Sequence, residues 1–152
     1  MKISDALANV QHVYIETSPF IYYVENHPVY ADKMDAIFEI VNTKPIEVIA
    51  SVVTLAETLT KPLKTGDKTV EQAYRNLLQQ TQNIALIPIT AQIAERTADL
   101  RSRYNLRTPD ALHIAAALDF GCDAFVTNDF ALQRVKELPI LILDDLEFEI
   151  TP

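Results

Sequence analysis

The segment from Arg107 to Phe130 constrains this chain more than any other. Ala111, Leu112, Ile114, Ala115, Ala116, Ala117 and Leu118 leave almost no polar side on a helical wheel, so the helix they form must be covered on more than one face. Thr108 suits an N-cap, Pro109 the first helical position, and Asp110 then falls in the first turn. Gly121 supplies a left-handed stop, and Ala124 to Thr127 reads as a short buried strand with Asp129 just past its carboxyl end. A buried helix feeding a buried strand belongs to an α/β fold. An acid stands at the head of the helix and another at the end of the strand, where side chains from different units converge.

The rest of the chain continues the alternation. His12 to Glu16 is an apolar strand ending in an acid, followed by a helix start with Ser18 as cap and Pro19 in first position. Met34, Ile37, Phe38 and Val41 recur at helical spacing within about Tyr30 to Asn42. Glu47 to Val53 reads as a buried strand, and Thr54 opens a helix that Pro62 interrupts. Asp67 caps a helix whose Val70, Ala73, Tyr74, Leu77 and Leu78 form one stripe. Ile84 to Ile89 is a third strand. Thr90 then caps a helix carrying Ile93, Thr97, Leu100 and Tyr104 and released at Asn105. A helix around Ala131 to Leu138 and a fifth strand from Pro139 to Asp144 complete the pattern, with a marginal acidic tail. These elements predict one α/β domain over residues 1–152, with a five-stranded, mostly parallel sheet and helices on both faces.

Composition removes several function classes. Two glycines cannot build a Gly-rich phosphate cradle, and one cysteine, Cys122, excludes an internal disulfide and a multi-cysteine zinc site. No apolar run is long enough to span a bilayer and the amino terminus lacks a signal-peptide core, so a cytoplasmic location is expected. The net charge of −8 opposes sequence-blind coating of nucleic acid. Two divalent cations bound by clustered carboxylates would halve that charge at the site itself.

Glu16, Glu57 and Asp129 each follow a strand end, and Asp110 heads the helix that leads back to the sheet. Ligands of open α/β sheets sit outside those carboxyl ends. Clustered carboxylates cannot all ionise without cations, and an all-oxygen site suits Mg²⁺ or Mn²⁺. In such a site one ion activates water and a second, roughly 4 Å away, steadies a leaving oxygen. Each acid also has a structural reading. Glu57 completes a capping box with Thr54, Asp110 complements the helix dipole and Asp129 is an N-cap. Taken singly, the structural reading is favoured for Glu57 and Asp129. Glu16, inside an apolar strand end, has no such role and is costly if buried.

Val-Tyr-Ile-Glu-Thr-Ser-Pro-Phe-Ile-Tyr at 13–22, Thr-Leu-Ala-Glu at 54–57, Arg-Thr-Pro-Asp-Ala-Leu-His-Ile-Ala at 107–115 and Phe-Val-Thr-Asn-Asp at 125–129 resemble the signature blocks of the PIN-domain family. The resemblance runs in order over nearly the whole chain, and its third and fourth blocks are the specific ones. It implies a PIN-like domain acting as a Mg²⁺- or Mn²⁺-dependent ribonuclease on RNA. It also implies a VapC-like toxin that dimerises and is held by a VapB-like antitoxin. By position Glu16, Glu57, Asp110 and Asp129 become the metal-binding, catalytic acids, and Thr127 the hydroxyl beside the last acid. The family usually has Asp where this chain has Glu16, and one extra methylene moves that carboxylate by over an ångström, on the order of one bond length.

His113 is read as a packed histidine outside the site, and Arg96, Arg103 and Arg107 as a solvated helix face rather than a phosphate-contacting strip. Thr17 and Ser18 stand beside the first acid as candidate support for it, and capping explains Ser18 equally well. Phe20 to Val24 and the Met34–Val41 stripe leave two readings open, a dimer or antitoxin surface and ordinary core. Two other functions compete with catalysis. One is a PIN-like domain of weakened activity that binds RNA or protein. The other is a phosphoacceptor signalling domain, disfavoured because Ile84–Ile89 ends in Thr90 rather than an aspartate.

Overall fold

Alternation along the strands sorts the core into two halves. In the computed structural model, which describes residues 1–149, Val13, Ile15, Val48, Ala50, Ala124 and Val126 face one side of the sheet and Tyr14, Ile49 and Phe125 the other. Those strands are β1 (His12–Ile15), β2 (Glu47–Ser51) and β4 (Ala124–Thr127), and β3 (Ile84–Ile87) and β5 (Ile140–Ile142) flank them. The five strands lie in the order β3-β2-β1-β4-β5 and every pairing is parallel. Tyr14 pairs with both Ile49 and Phe125 in register, and its ring stacks on Phe125 at 5.2 Å.

Helices cover each side. On the first lie α1 (Ile3–Ala6), α2 (Thr17–Val24), α3 (Ala31–Thr43) and α5 (Lys68–Gln80), supplying Ile3, Phe20, Met34, Ile37, Val41 and Leu78. On the second lie α6 (Ala91–Tyr104) and α7 (Thr108–Phe120), supplying Ile93, Leu100, Ala111, Ile114 and Ala115. Phe20, Met34, Ile37 and Val41 are therefore core, while Phe38 and residues 21–24 are only partly covered. The alanines of α7 are fully buried, and their small side chains let α6, α4 (Val52–Thr65) and the sheet all approach it.

Several boundaries differ from the sequence reading. The helix expected to open at Thr54 starts at Val52, because Ser51 Oγ accepts from Val53 N at 3.2 Å and takes the capping role. It also runs through Pro62 to Thr65 rather than breaking there. Pro62 lies in the last turns, and its carbonyl closes the helix by accepting from the amides of Gly66 and Asp67. Glu16 and Arg107, not Ser18 and Thr108, occupy the N-cap positions of α2 and α7, so capping chemistry does not set those starts. The segment after Asp129 forms a 3₁₀ helix, Phe130–Arg134, instead of a helix to Leu138. Caps at Asp67 and Thr90 and left-handed exits at Asn105 and Gly121 are as expected. The end of the predicted tail, residues 150–152, lies outside the described residues. Cys122 is free and half-buried against the α7 side of the core, and burial pushes its thiol up to about 12.

Gly121 has a φ of 87° with no atom within 4 Å of where a Cβ would stand, so a side chain there meets conformational strain and no clash. Gly121→Ala should lower stability by about 1 kcal/mol without altering the urea m-value. An unchanged urea midpoint would mean that this helix exit does not need the left-handed conformation.

Candidate active site

Sheet order reverses between β1 and β4, which places the mouth of the fold at their carboxyl ends. Glu16 follows β1 directly, and Thr127 ends β4. Thr127 Oγ1 donates to Glu16 Oε1 at 2.6 Å and accepts from the backbone N of Asp129 at 3.0 Å. One buried hydroxyl thus joins the first and last predicted acids. Glu16 is only 7% exposed, and burial pushes its carboxyl up to about 7. The Thr127 hydroxyl opposes that rise, while the neighbouring Asp110 and Asp129 charges add to it. Asp129 also caps the following 3₁₀ helix through Ala131 N at 3.0 Å, so its structural reading holds beside its place in the cleft.

The opposite wall is built from α4 and α7. Because α4 begins at Val52, Glu57 is not in a capping box with Thr54; it stands past the first turn and lines the cleft. Glu57 Oε1 accepts from Thr17 Oγ1 at 2.6 Å and contacts His113 Nε2 at 2.9 Å. His113 Nδ1 lies 2.7 Å from the Tyr14 hydroxyl. Burial raises the Tyr14 phenol well above its ordinary range, so it keeps its proton and donates to Nδ1. Nε2 then carries the imidazole proton and donates it to Glu57. The hydrogen bond from His113, first among several causes, holds Glu57 below its usual carboxylate range.

His113 is buried and hydrogen-bonded, as its sequence reading has it, and its ring also lines the cleft beside Glu57. Its signal was the helical spacing from Asp110, which puts both residues on the cleft side of α7. Asp110 is mostly shielded and is held by Arg107, whose Nε donates to Asp110 Oδ2 at 3.0 Å. Arg107 is itself 78% exposed at the cleft edge. Arg103 is taken up by Asp99 and Glu137, so the arginine strip does not form as a unit.

Glu16, Glu57, Asp110 and Asp129 line one cleft of about 340 Å³, together with Thr17, Ser18, Arg107 and His113. Thr127 sits behind Glu16, fully buried. Among the described residues no three acidic or histidine side chains stand close enough to form a finished metal cage. The donor set nevertheless fits a hard divalent cation. It consists of carboxylate oxygens, and Glu16 is a buried acid whose one side-chain hydrogen bond is to a hydroxyl.

The PIN domain family model matches residues 13–138, and the chain belongs to that family. No curated protein matches it. Among solved structures it resembles VapBC2 from Rickettsia felis bound to a promoter DNA fragment, at TM-score 0.70 and 19% identity over 86% of this chain and 98% of that one. It also resembles VapC20 of Mycobacterium tuberculosis, a Sarcin-Ricin loop cleaving toxin, at TM-score 0.66 and 17% identity over 84% and 98%. VapBC-1 from nontypeable Haemophilus influenzae aligns at TM-score 0.64 and 19% identity over 89% and 100%. At these identities the likeness is one of fold. No helix among the described residues is long and apolar enough to cross a membrane.

A carboxyl raised from 4.5 to about 7 binds its proton more tightly in the folded chain than in the unfolded one. Its contribution to stability is full below pH 4.5 and is lost as pH rises through about 7, a span worth on the order of 3 kcal/mol. Glu16→Gln, which keeps an acceptor for Thr127, should therefore match the parent in urea stability near pH 4.5 and exceed it by 1 to 3 kcal/mol, in order of magnitude, at pH 8 in metal-free buffer. Equal stability at both pH values would contradict the burial of an ionised Glu16.

Proposed function

We propose that this chain is a divalent-metal-dependent endoribonuclease that cuts single-stranded RNA in the cytoplasm, as the toxin of a VapBC-like pair with a VapB-like antitoxin and a homodimeric state. The observation that carries the reading is the gathering of Glu16, Glu57, Asp110 and Asp129 on one cleft at the point where strand order reverses. Family membership supports nuclease chemistry, and the VapBC and VapC solved structures support the toxin assignment.

Glu16, Asp110, Asp129 and Glu57 would hold Mg²⁺ or Mn²⁺, which when bound supplies charge neutralisation and Lewis acidity at the phosphodiester. The chain's own residues set the rest. Thr127 fixes one Glu16 oxygen and leaves the other free. Thr17 and His113 both hold Glu57 Oε1, which orients Oε2. Arg107 lies where a phosphate oxygen could exchange for the Asp110 carboxylate, since its guanidinium is exposed and donates a forked pair. Water adds to phosphorus in line, the bond to the ribose 3′ oxygen breaks, and the products carry a 5′ phosphate and a 3′ hydroxyl.

The glutamate at position 16 favours a second reading, a PIN-like domain of weakened catalysis that binds RNA or protein. Calorimetry with millimolar Mn²⁺ separates the two, because a binding module has no need of the metal.

Asp110→Asn should abolish Mn²⁺-dependent RNA cleavage with the far-ultraviolet circular dichroism unchanged; retained cleavage in a nuclease-free preparation removes Asp110 from the mechanism. Glu16→Asp should hold or raise the cleavage rate. A drop of tenfold or more, about 1.4 kcal/mol in barrier, would show that the longer side chain is fitted to its buried place beside Thr127.

A further inference from the structure

A second, smaller hollow of about 250 Å³ adjoins the acid cleft and shares Glu16, Ser18 and Asp129 with it, adding Tyr22 and Asn128. Ser18 and Tyr22 are four residues apart on the same face of α2, so the backbone of Tyr22 stands about 6 Å farther along the helix axis than that of Ser18. Unlike Phe20, which is fully buried, Tyr22 is only partly covered.

The ring is backed rather than loose. Its centroid lies 4.9 Å from the His27 ring and 4.8 Å from Tyr30, and His27 and Tyr30 stack at 4.8 Å. His27 is itself fixed, because Nδ1 accepts from the amides of Val29 and Tyr30 at 3.1 and 3.2 Å. The Tyr30 hydroxyl meets the side chains of Asp144 and Asn128, and Asn128 Oδ1 accepts from Asp144 N at 3.1 Å. This ties the aromatic group to Asn128, the residue between Thr127 and Asp129.

We propose that Tyr22, backed by His27 and Tyr30, is a stacking face for one unpaired base of the RNA beside the scissile phosphodiester. This rests on the nuclease reading and names a subsite within it. Successive unpaired bases stack on exposed aromatic rings, and such contacts tolerate sequence because every base has a π-face. The surrounding charge decides between base and phosphate. Glu16 and Asp129 belong to the cation-binding cleft, whereas the Asp144 carboxylate, held beside Asn128, repels a phosphate and accepts hydrogen bonds from the exocyclic amino groups of bases. The exposed guanidinium of Arg107 lies on the other hollow, where the phosphates belong. A protein segment seated on Tyr22 is the competing occupant.

The test uses a short unstructured RNA carrying 2-aminopurine at one position at a time, titrated in Mn²⁺ onto the full chain with Asp110→Asn to prevent cleavage. Tyr22→Leu keeps apolar bulk without a π-face, and Tyr22→Phe keeps the face without the hydroxyl. The parent and Tyr22→Phe should quench the fluorophore at one favoured position. Tyr22→Leu should lose that quenching and bind roughly tenfold more weakly, with its far-ultraviolet circular dichroism at the assay temperature unchanged. In otherwise unaltered enzyme, Tyr22→Leu should raise KM and leave kcat nearly unchanged. If Tyr22→Leu binds and quenches like the parent while the parent cleaves RNA, the subsite is wrong and the nuclease reading stands. Loss of a basic peptide by Tyr22→Leu, with RNA binding intact, would make the face a protein-docking surface and overturn the proposal. A parent that neither binds nor cleaves RNA would end both readings.

Discussion

The hydrogen bond from Thr127 Oγ1 to Glu16 Oε1, at 2.6 Å, is the contact around which the open end of the sheet is arranged. It joins the ends of β1 and β4, the adjacent strands between which strand order reverses. The same hydroxyl accepts from Asp129 N, so two acids separated by more than a hundred residues are held in one register. That register exists because Val13 pairs with Ala124 and Ile15 with Val126, and because the small residues of α7 let this helix lie close beneath the sheet. A side chain larger than alanine at Ala115 or Ala116 would push α7, and with it Asp110 and His113, off the cleft wall.

The two walls of the cleft hold their carboxylates in opposite ways. Burial raises Glu16 to about 7, while the hydrogen bond from His113 keeps Glu57 lowered and ionised. Without a cation, the Glu16 proton relieves repulsion from Asp110 and Asp129, and the Arg107 guanidinium does the same for Asp110. In the proposed enzyme a divalent ion would replace both kinds of relief.

Much of this could be read from the sequence where local chemistry and tertiary demand agree. Ala124–Thr127 matches its predicted strand, and Asp67, Thr90, Asn105 and Gly121 end or begin helices as their side chains dictate. Reading failed where two caps compete or where the sheet decides. Ser51 outcompetes Thr54 because β2 ends there, and moving the helix start by two residues turns Glu57 from a capping residue into a cleft residue. Pro62 did not break α4, which loses the one amide bond a proline cannot make and continues to Thr65. His113 was legible only in part. Its spacing from Asp110 is in the sequence, but Tyr14, which fixes its tautomer, is 99 residues away and reaches it only through the fold.

The central claim is that Glu16 shares a divalent cation with the other acids of the cleft. Carbon-13 labelling of the glutamate side chains allows the Glu16 carboxyl to be titrated with and without Mg²⁺. The account predicts an apparent pKa of about 7 in metal-free protein that falls by more than one pH unit on the order of millimolar Mg²⁺, because the ion competes with the proton for the same oxygens. A Glu16 titration that Mg²⁺ leaves unmoved would contradict it.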